Sequence, residues 1–287
     1  MMNKILFGDC RETLKTIDTK ARMCVTSPPY YGLRNYGDED KQIGQEQSPE
    51  EYIENMVDVF RKVRDVLADD GTLWLNIGDS YYNYRPGKGQ ALVKQSVSKT
   101  KQDLPDKCAK RGNKLEGLKE KDLIGIPWML AFALRADGWY LRQDIIWHKP
   151  NPMPESVRDR CTKSHEYIFL LSKNQNYYFD VDVIKEPTRR KRSVWNINTK
   201  PYKNAHFAVY PPELIEPCIK AGSEVGDIIL DPFMGSGTTA MVAKELGRYY
   251  IGCDLHEDYG NLIQERMGVT VDKVVHNGLT SAFNDVE

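Results

Sequence analysis

The run Asp227-Ile-Ile-Leu-Asp231-Pro-Phe233-Met-Gly235-Ser-Gly237-Thr238-Thr-Ala240 reads as a strand, a tight turn and the start of a helix. Its apolar half ends in a carboxylate, and two glycines then let the backbone approach a ligand closely where a helix N-terminus offers free N–H groups. Working outward, a helical pattern covers Thr238 to Leu246, and the next apolar run, Tyr249 to Cys253, ends in Asp254, 17 residues after Gly237. An acid in that place can accept hydrogen bonds from ribose hydroxyls.

The same alternation extends over the chain. Lys4 to Phe7, Ala21 to Thr26, Thr72 to Ile77, Tyr140 to Trp147 and Glu166 to Leu171 are further apolar runs of strand length. Helical patterns cover Pro49 to Leu67, behind a Ser48 cap, Asp122 to Ala136, and Pro212 to Ala221. Strands alternating with helices predict an α/β fold, a mainly parallel sheet covered by helices on both faces. Tyr81 to Lys119 breaks the pattern: it is polar, basic, rich in Gly and Pro, and reads as a long inserted loop.

Three ligands compete for the glycine turn. A phosphate-cradling loop requires Gly-Lys-Ser/Thr, and the turn has no lysine. A nicotinamide or flavin site is compatible with Gly-x-Gly-x-x-Ala. S-adenosylmethionine, with a ribose, an adenine and a charged amino-acid end but no pyrophosphate, suits Asp231 better, because a carboxylate repels a pyrophosphate and attracts an ammonium or sulfonium. The bland alternative is a strand-to-helix turn that binds nothing.

A second motif bears on that choice. The run Ala21 to Thr26 leads directly into Ser27-Pro28-Pro29-Tyr30. Two successive prolines end a strand and fix the chain direction. A hydroxyl and a carbonyl held rigidly, here from Ser27 and Pro28, are two acceptors for the N–H bonds of an exocyclic base amine, a poor nucleophile whose lone pair is delocalised. Tyr30 offers a flat face for the base, an interaction of about 1–3 kcal/mol in single-strand binders.

Together the two motifs resemble the amino-group DNA methyltransferases that act on N4 of cytosine or N6 of adenine. Gly8-Asp9-Cys10, Thr26-Ser27-Pro28-Pro29-Tyr30 and the Asp231 to Thr239 turn occur in the order of that family's beta group. Trp147-His148-Lys149-Pro150-Asn151, Ser164-His165-Glu166-Tyr167 and His206-Phe207-Ala208 to Pro211 look like its connecting motifs. The resemblance implies one catalytic domain over 1–287 with a Rossmann-like class I methyltransferase fold and inserted DNA-recognition loops, at 81–119 and in a candidate target-recognition region at 173–206. It implies S-adenosylmethionine as cofactor, with Asp9 on the adenine, Asp254 on the ribose, and Asp231, Phe233, Gly235, Gly237 and Thr238 around the methionine end. Cys10 and Thr26 complete that pocket, and Ser27, Pro28, Pro29 and Tyr30 hold the base. Serine in the first position favours cytosine N4 over adenine N6 without excluding the latter. A DNA-binding protein that keeps the fold but is catalytically weak is the alternative of another class.

Composition limits the partners. With 40 Lys+Arg, 41 Asp+Glu and a net charge of -1, this is no polybasic arm-type binder. The signs are segregated, however: Asp38 to Asp70 carries a net -7, Arg85 to Lys119 a net +7 and Lys185 to Lys203 a net +6. The two basic islands are candidate contacts to double-stranded DNA, through Arg85 and Lys88 in the first and Arg189, Arg190, Lys191 and Arg192 in the second. A restriction endonuclease partner and a homodimer are compatible with the resemblance. The six cysteines have no CxxC pairing, His148, His165 and His206 are too scattered for a metal set, and no apolar run is long enough to span a membrane, all of which fits a cytoplasmic protein. Cytosine-C5 chemistry would require a nucleophilic Pro-Cys loop, whereas Pro217-Cys218 lies inside a helical pattern and reads as core packing. Trp128, Trp139, Trp147 and Trp195 likewise read as packing residues.

Overall fold

The computed structural model describes residues 2–32, 42–82, 115, 117–200, 210–257, 259–267 and 274–276. Arg85, Lys88, most of the 81–119 insertion and His206 to Ala208 lie outside the described residues. The described strands form one nine-stranded sheet: β1 (Lys4–Phe7), β2 (Ala21–Thr26), β3 (Leu67–Ile77), β4 (Tyr140–His148), β5 (His165–Ser172), β6 (Val194–Asn196), β7 (Ile228–Asp231), β8 (Tyr249–Asp254) and β9 (Val274–His276). Their order is β6-β4-β5-β3-β2-β7-β8-β1-β9. Pairings from β3 through β2, β7, β8 and β1 to β9 are all parallel, while β5 runs antiparallel between β3 and β4. The sheet is therefore mainly parallel but mixed.

Among the described residues, six α-helices accompany it: α1 (Cys10–Thr13), α2 (Pro49–Val66), α3 (Ile126–Ala136), α4 (Pro212–Gly222), α5 (Thr238–Glu245) and α6 (Tyr259–Met267). Helix α2 shows why the sequence folds this way. Tyr52, Met56, Val59, Phe60 and Val63 fall on one stripe and are all fully buried. Ser48 caps the helix by accepting from the Glu51 amide, and the Glu51 carboxylate accepts from the Gln47 amide. Helices α1, α2 and α3 pack on one face, over Leu73, Leu75, Phe169 and Leu171. Helices α4, α5 and α6 cover the other face, over Met23, Trp74, Ile168 and Ile229.

Two departures from the sequence reading have clear causes. The helix expected from Asp122 begins at Ile126, because Gly125 sits in the left-handed region at φ +90 and Pro127 occupies the first turn. The cap is supplied from far away: the Asp79 carboxylate, just past β3, accepts from the Gly125 and Ile126 amides. Strand β3 also begins earlier than expected, at Leu67, following α2 without a loop, since Leu67 pairs with Ala21 of β2 before a register shift to Thr72 opposite Met23. Helices α1 and α6 and the short edge strands β6 and β9 carry too few apolar residues to be read from periodicity.

Candidate active site

The parallel strands align their carboxyl ends on one edge of the sheet. From β2 the chain leads outward to β3, whereas from β7 it leads outward in the opposite direction to β8. The crevice at such a switch point is where α/β sheets bind ligands. Because β2 and β7 are hydrogen-bonded neighbours, with Met23 opposite Ile229 and Cys24 opposite Leu230, the Ser-Pro-Pro-Tyr segment and the glycine turn emerge side by side.

Asp231 joins the two. It is completely buried and accepts from four donors: the Thr26 hydroxyl at 2.6 Å, the Phe233 amide at 3.0 Å, the Tyr210 hydroxyl at 3.1 Å and the Thr239 hydroxyl. Burial raises its carboxyl above the ordinary value of 3.8, and the donors oppose that shift. Asp231 thus lies beneath the turn as a strut between β2, β7, α5 and the segment before α4, enclosed by protein donors.

The turn above it is built for a ligand. Gly235 and Gly237 have φ of +53 and +80, and a Cβ on Gly237 would stand 3.0 Å from the Ile263 side chain, so any other residue is strained there. Helix α5 has no side-chain N-cap, and the buried Thr238 hydroxyl at its first turn has no described partner. On the other side of the turn, the Asp254 carboxylate accepts from the Gly235 amide at 2.7 Å and the His256 amide at 2.9 Å. Burial pushes that carboxyl up to about 7 from 3.8. Asp9, at the end of β1, caps α1 through the Arg11 amide and pairs with the Arg11 guanidinium. Strand β1 adjoins β8, with Phe7 opposite Asp254, which brings Asp9 and Asp254 to the same edge of the sheet. The Cys10, Cys24 and Cys253 thiols are all pushed up by burial and act as packing groups.

Next to the turn, Ser27 is half-buried and Pro28 buried. Tyr52 donates to the Pro29 carbonyl at 3.0 Å, and no described residue takes the Pro28 carbonyl. The Tyr30 hydroxyl donates to Glu166 at 2.8 Å and stands 3.4 Å from both Ser27 Oγ and Asn76 Oδ1. Burial, then the Glu166 charge, drives its phenol well above its ordinary value, so it stays protonated. Lys149 and Glu166 fall in the connecting motifs Trp147 to Asn151 and Ser164 to Tyr167 of the sequence, without a role given to either, whereas Asn76 and Asp79 of this candidate site stand in no motif. For Glu166 a further signal is a charged residue at the start of the otherwise apolar run of β5. Lys163 donates to the Asp79 carbonyl, and burial lowers its ammonium below the usual range. His165 is lowered by burial and by the Lys163 charge.

The DNA-facing candidates divide. Arg189, Arg190 and Arg192 are exposed, Arg189 pairs with Glu186, and Lys191 lies 4.9 Å from the Trp195 ring centre. They lead into β6, which runs parallel to β4 and pairs with Ile146 to His148, its last three residues before the carboxyl edge. At that edge, the 149–164 segment offers the exposed Arg158 and the half-buried Lys163. Cys218 is fully buried on α4, its thiol raised by burial, and far from the role of a nucleophile. Trp139, Trp147 and Trp195 are buried, and Trp128 packs partly buried against Tyr167 and Phe169. Among the described residues no His, Cys, Asp or Glu cluster could hold a metal ion, and no helix is long and apolar enough to cross a membrane.

Comparison with known proteins agrees with this geometry. The family profile described as DNA methylase matches residues 21–265. The chain belongs to the DNA methylase family. Type II methyltransferase M.SmaI of Serratia marcescens is 52% identical over 277 residues, 92% of this chain and 90% of that protein. Type II methyltransferase M.Cfr9I of Citrobacter freundii is 47% identical over 266 residues, 91% of this chain and 86% of its own. Among solved structures, PvuII DNA methyltransferase (cytosine-N4-specific) superposes with a TM-score of 0.68 at 18% identity, covering 96% of this chain and 87% of that one. A DNA modification methylase of Thermus thermophilus, complexed with S-adenosyl-L-methionine, gives 0.64 at 23% identity, covering 96% and 99%. This methylase family member therefore has the class I methyltransferase fold and is a DNA methyltransferase.

Proposed function

We propose that the protein transfers a methyl group from S-adenosylmethionine to the exocyclic N4 amine of a cytosine turned out of duplex DNA. The observation that carries the reading is the adjacency of β2 and β7. It sets a rigid hydroxyl and carbonyl, Ser27 and Pro28, beside a glycine turn whose pocket has a free buried hydroxyl and a ribose-type acid. The residues present fit that cofactor. The Thr238 hydroxyl at the start of α5, which has no described partner, would take its amino-acid end, Asp254 would take the ribose hydroxyls, and Asp9 would take the adenine amine. When bound, the cofactor supplies an electrophilic methyl on a sulfonium.

The chain's own groups do the rest. Ser27 Oγ and the Pro28 carbonyl accept the two amine N–H bonds, which orients the nitrogen lone pair toward the turn. Tyr30 stacks on the extruded base and offsets part of the few kcal/mol that flipping costs. Asp231 fixes the distance between the base side and the cofactor side through Thr26 and Phe233. Lys163 and Arg158 at the carboxyl edge, with the Arg189 to Arg192 island, contact backbone phosphates. The serine favours cytosine, and the cytosine-N4 specificity named for the PvuII enzyme, a neighbour in fold, is consistent with it.

Incubation with methyl-labelled S-adenosylmethionine and DNA, followed by digestion to nucleosides, tests the reading. N4-methylcytosine is the expected product. N6-methyladenine would overturn the base assignment, and absence of transfer to any DNA would leave a binding protein on the same fold.

A further inference from the structure

Tyrosine in the base pocket has two rotatable side-chain bonds, yet here its ring is held along one edge and at its hydroxyl. One ring edge lies against Gly78, where an added Cβ would come within 2.7 Å of Tyr30 Cε2. The hydroxyl at the far end donates to Glu166 Oε2 at 2.8 Å. Glu166 is itself braced: Asn76 Nδ2 donates to the same oxygen at 3.2 Å and to the Tyr167 carbonyl at 3.1 Å, while Lys149 Nζ pairs with Oε1. Both Glu166 and Lys149 are largely shielded, with side-chain exposures of 16% and 18%, and Lys149 also lies 4.3 Å from the Trp147 ring centre. The brace spans three strands, since Asn76 is on β3, Glu166 on β5, and Trp147 at the end of β4.

We propose that Glu166 is a positioning residue for the target base, acting through the Tyr30 hydroxyl to set the plane of the ring before the base arrives. The inference rests on the base-pocket reading given above. Its physical content is pre-organisation: a ring already fixed loses little further freedom when a base stacks on it, so the cost of ordering it is met during folding. A charged acceptor suits the task, because a phenol-to-carboxylate hydrogen bond is stronger than one between neutral groups. The two oxygens of Glu166 have separate duties. Oε2 holds Tyr30 and Asn76, and Oε1 holds Lys149.

That division makes the inference testable. Glu166→Gln can present its single oxygen to Tyr30 and Asn76 and lose only Lys149, whereas Glu166→Ala loses the brace entirely. Steady-state methylation of DNA by the full-length protein is measured for wild type, E166Q, E166A, Y30F and Y30F/E166A, with S-adenosylhomocysteine affinity and thermal melting as checks on the fold. The loss of one such hydrogen bond predicts a kcat/KM for DNA about tenfold lower in E166A and in Y30F. E166Q should retain activity within about threefold of wild type, and the double variant should be no worse than about twofold below Y30F. E166Q as damaging as E166A, or losses in E166A and Y30F that multiply in the double variant, would overturn the inference. If E166A fails to fold, the comparison of E166Q with Y30F decides: the inference requires Y30F to be clearly the weaker enzyme. Ser27→Ala separates this inference from the base-pocket reading. A fully active S27A refutes the pocket itself, whereas an inactive S27A that still binds S-adenosylhomocysteine, together with independent Glu166 and Tyr30 effects, refutes only the positioning role.

Discussion

Cofactor affinity should rise with pH through neutrality, and Asp254 supplies the reason. A carboxylate accepts hydrogen bonds from both ribose hydroxyls only when ionised, since its protonated form is itself a donor. Burial pushes this carboxyl up to about 7 in the ligand-free protein, against the pull of the His256 and Gly235 amides. Two ribose donors favour the charged form, so the bound state should hold the group ionised well below that value. Linkage then fixes the magnitude: between about pH 8 and about pH 6 the ionised fraction falls from roughly nine-tenths to roughly one-tenth, and the dissociation constant should weaken about tenfold, about 1.4 kcal/mol. Calorimetry of S-adenosylhomocysteine binding in buffers of different ionisation enthalpy should show about half a proton released per ligand near pH 7. Asp254→Asn should bind weakly at every pH and lose that proton. A wild-type affinity that is flat from pH 6 to pH 8, with no proton exchanged, would refute the reasoning. The fold responds in the opposite sense. Because the folded value lies above the ordinary 3.8, the stabilisation from the neutral carboxyl is complete below that point and is lost as pH rises through about 7.

Other expected outcomes follow from single contacts. Ser27→Ala should lower kcat at least about tenfold, the worth of one well-placed hydrogen bond, with S-adenosylhomocysteine affinity unchanged by calorimetry. Gly237→Ala forces a side chain into the left-handed region against Ile263 and should cost about 1–2 kcal/mol in denaturant unfolding, with weaker cofactor binding. Replacing Arg189, Arg190, Lys191 and Arg192 by alanine should flatten the salt dependence of DNA binding by about three rather than four units of slope, because Arg189 is already paired with Glu186. An unchanged slope would remove this island from the interface. Cys218→Ser should leave the methylation rate intact, and its loss in a well-folded protein would revive a cysteine nucleophile.

Features that a few adjacent residues dictate are legible in the chain before it folds. Two prolines must end β2 at Thr26, glycines must carry the positive φ angles after β7, and Ser48 must cap α2. Each is a local steric or hydrogen-bonding constraint, and each stands where the residues place it. Apolar periodicity was similarly sufficient for the long helices and central strands, though not for α1, α6 and the edge strands. How distant side chains meet is set by the packed sheet instead. Thr26 reaches Asp231 across 205 residues, Tyr30 reaches Glu166 across 136, and Asp79 caps a helix 47 residues further on. None of these partners is selected by its neighbours in the chain. They are selected by strand order and register, which place β2 between β3 and β7 and bring Glu166 at the start of β5 to the edge where Tyr30 leaves β2. A buried carboxylate must find donors wherever the packed sheet puts them, so Asp231, which in the sequence reads as a ligand for a cation, is enclosed by Thr26, Phe233, Tyr210 and Thr239.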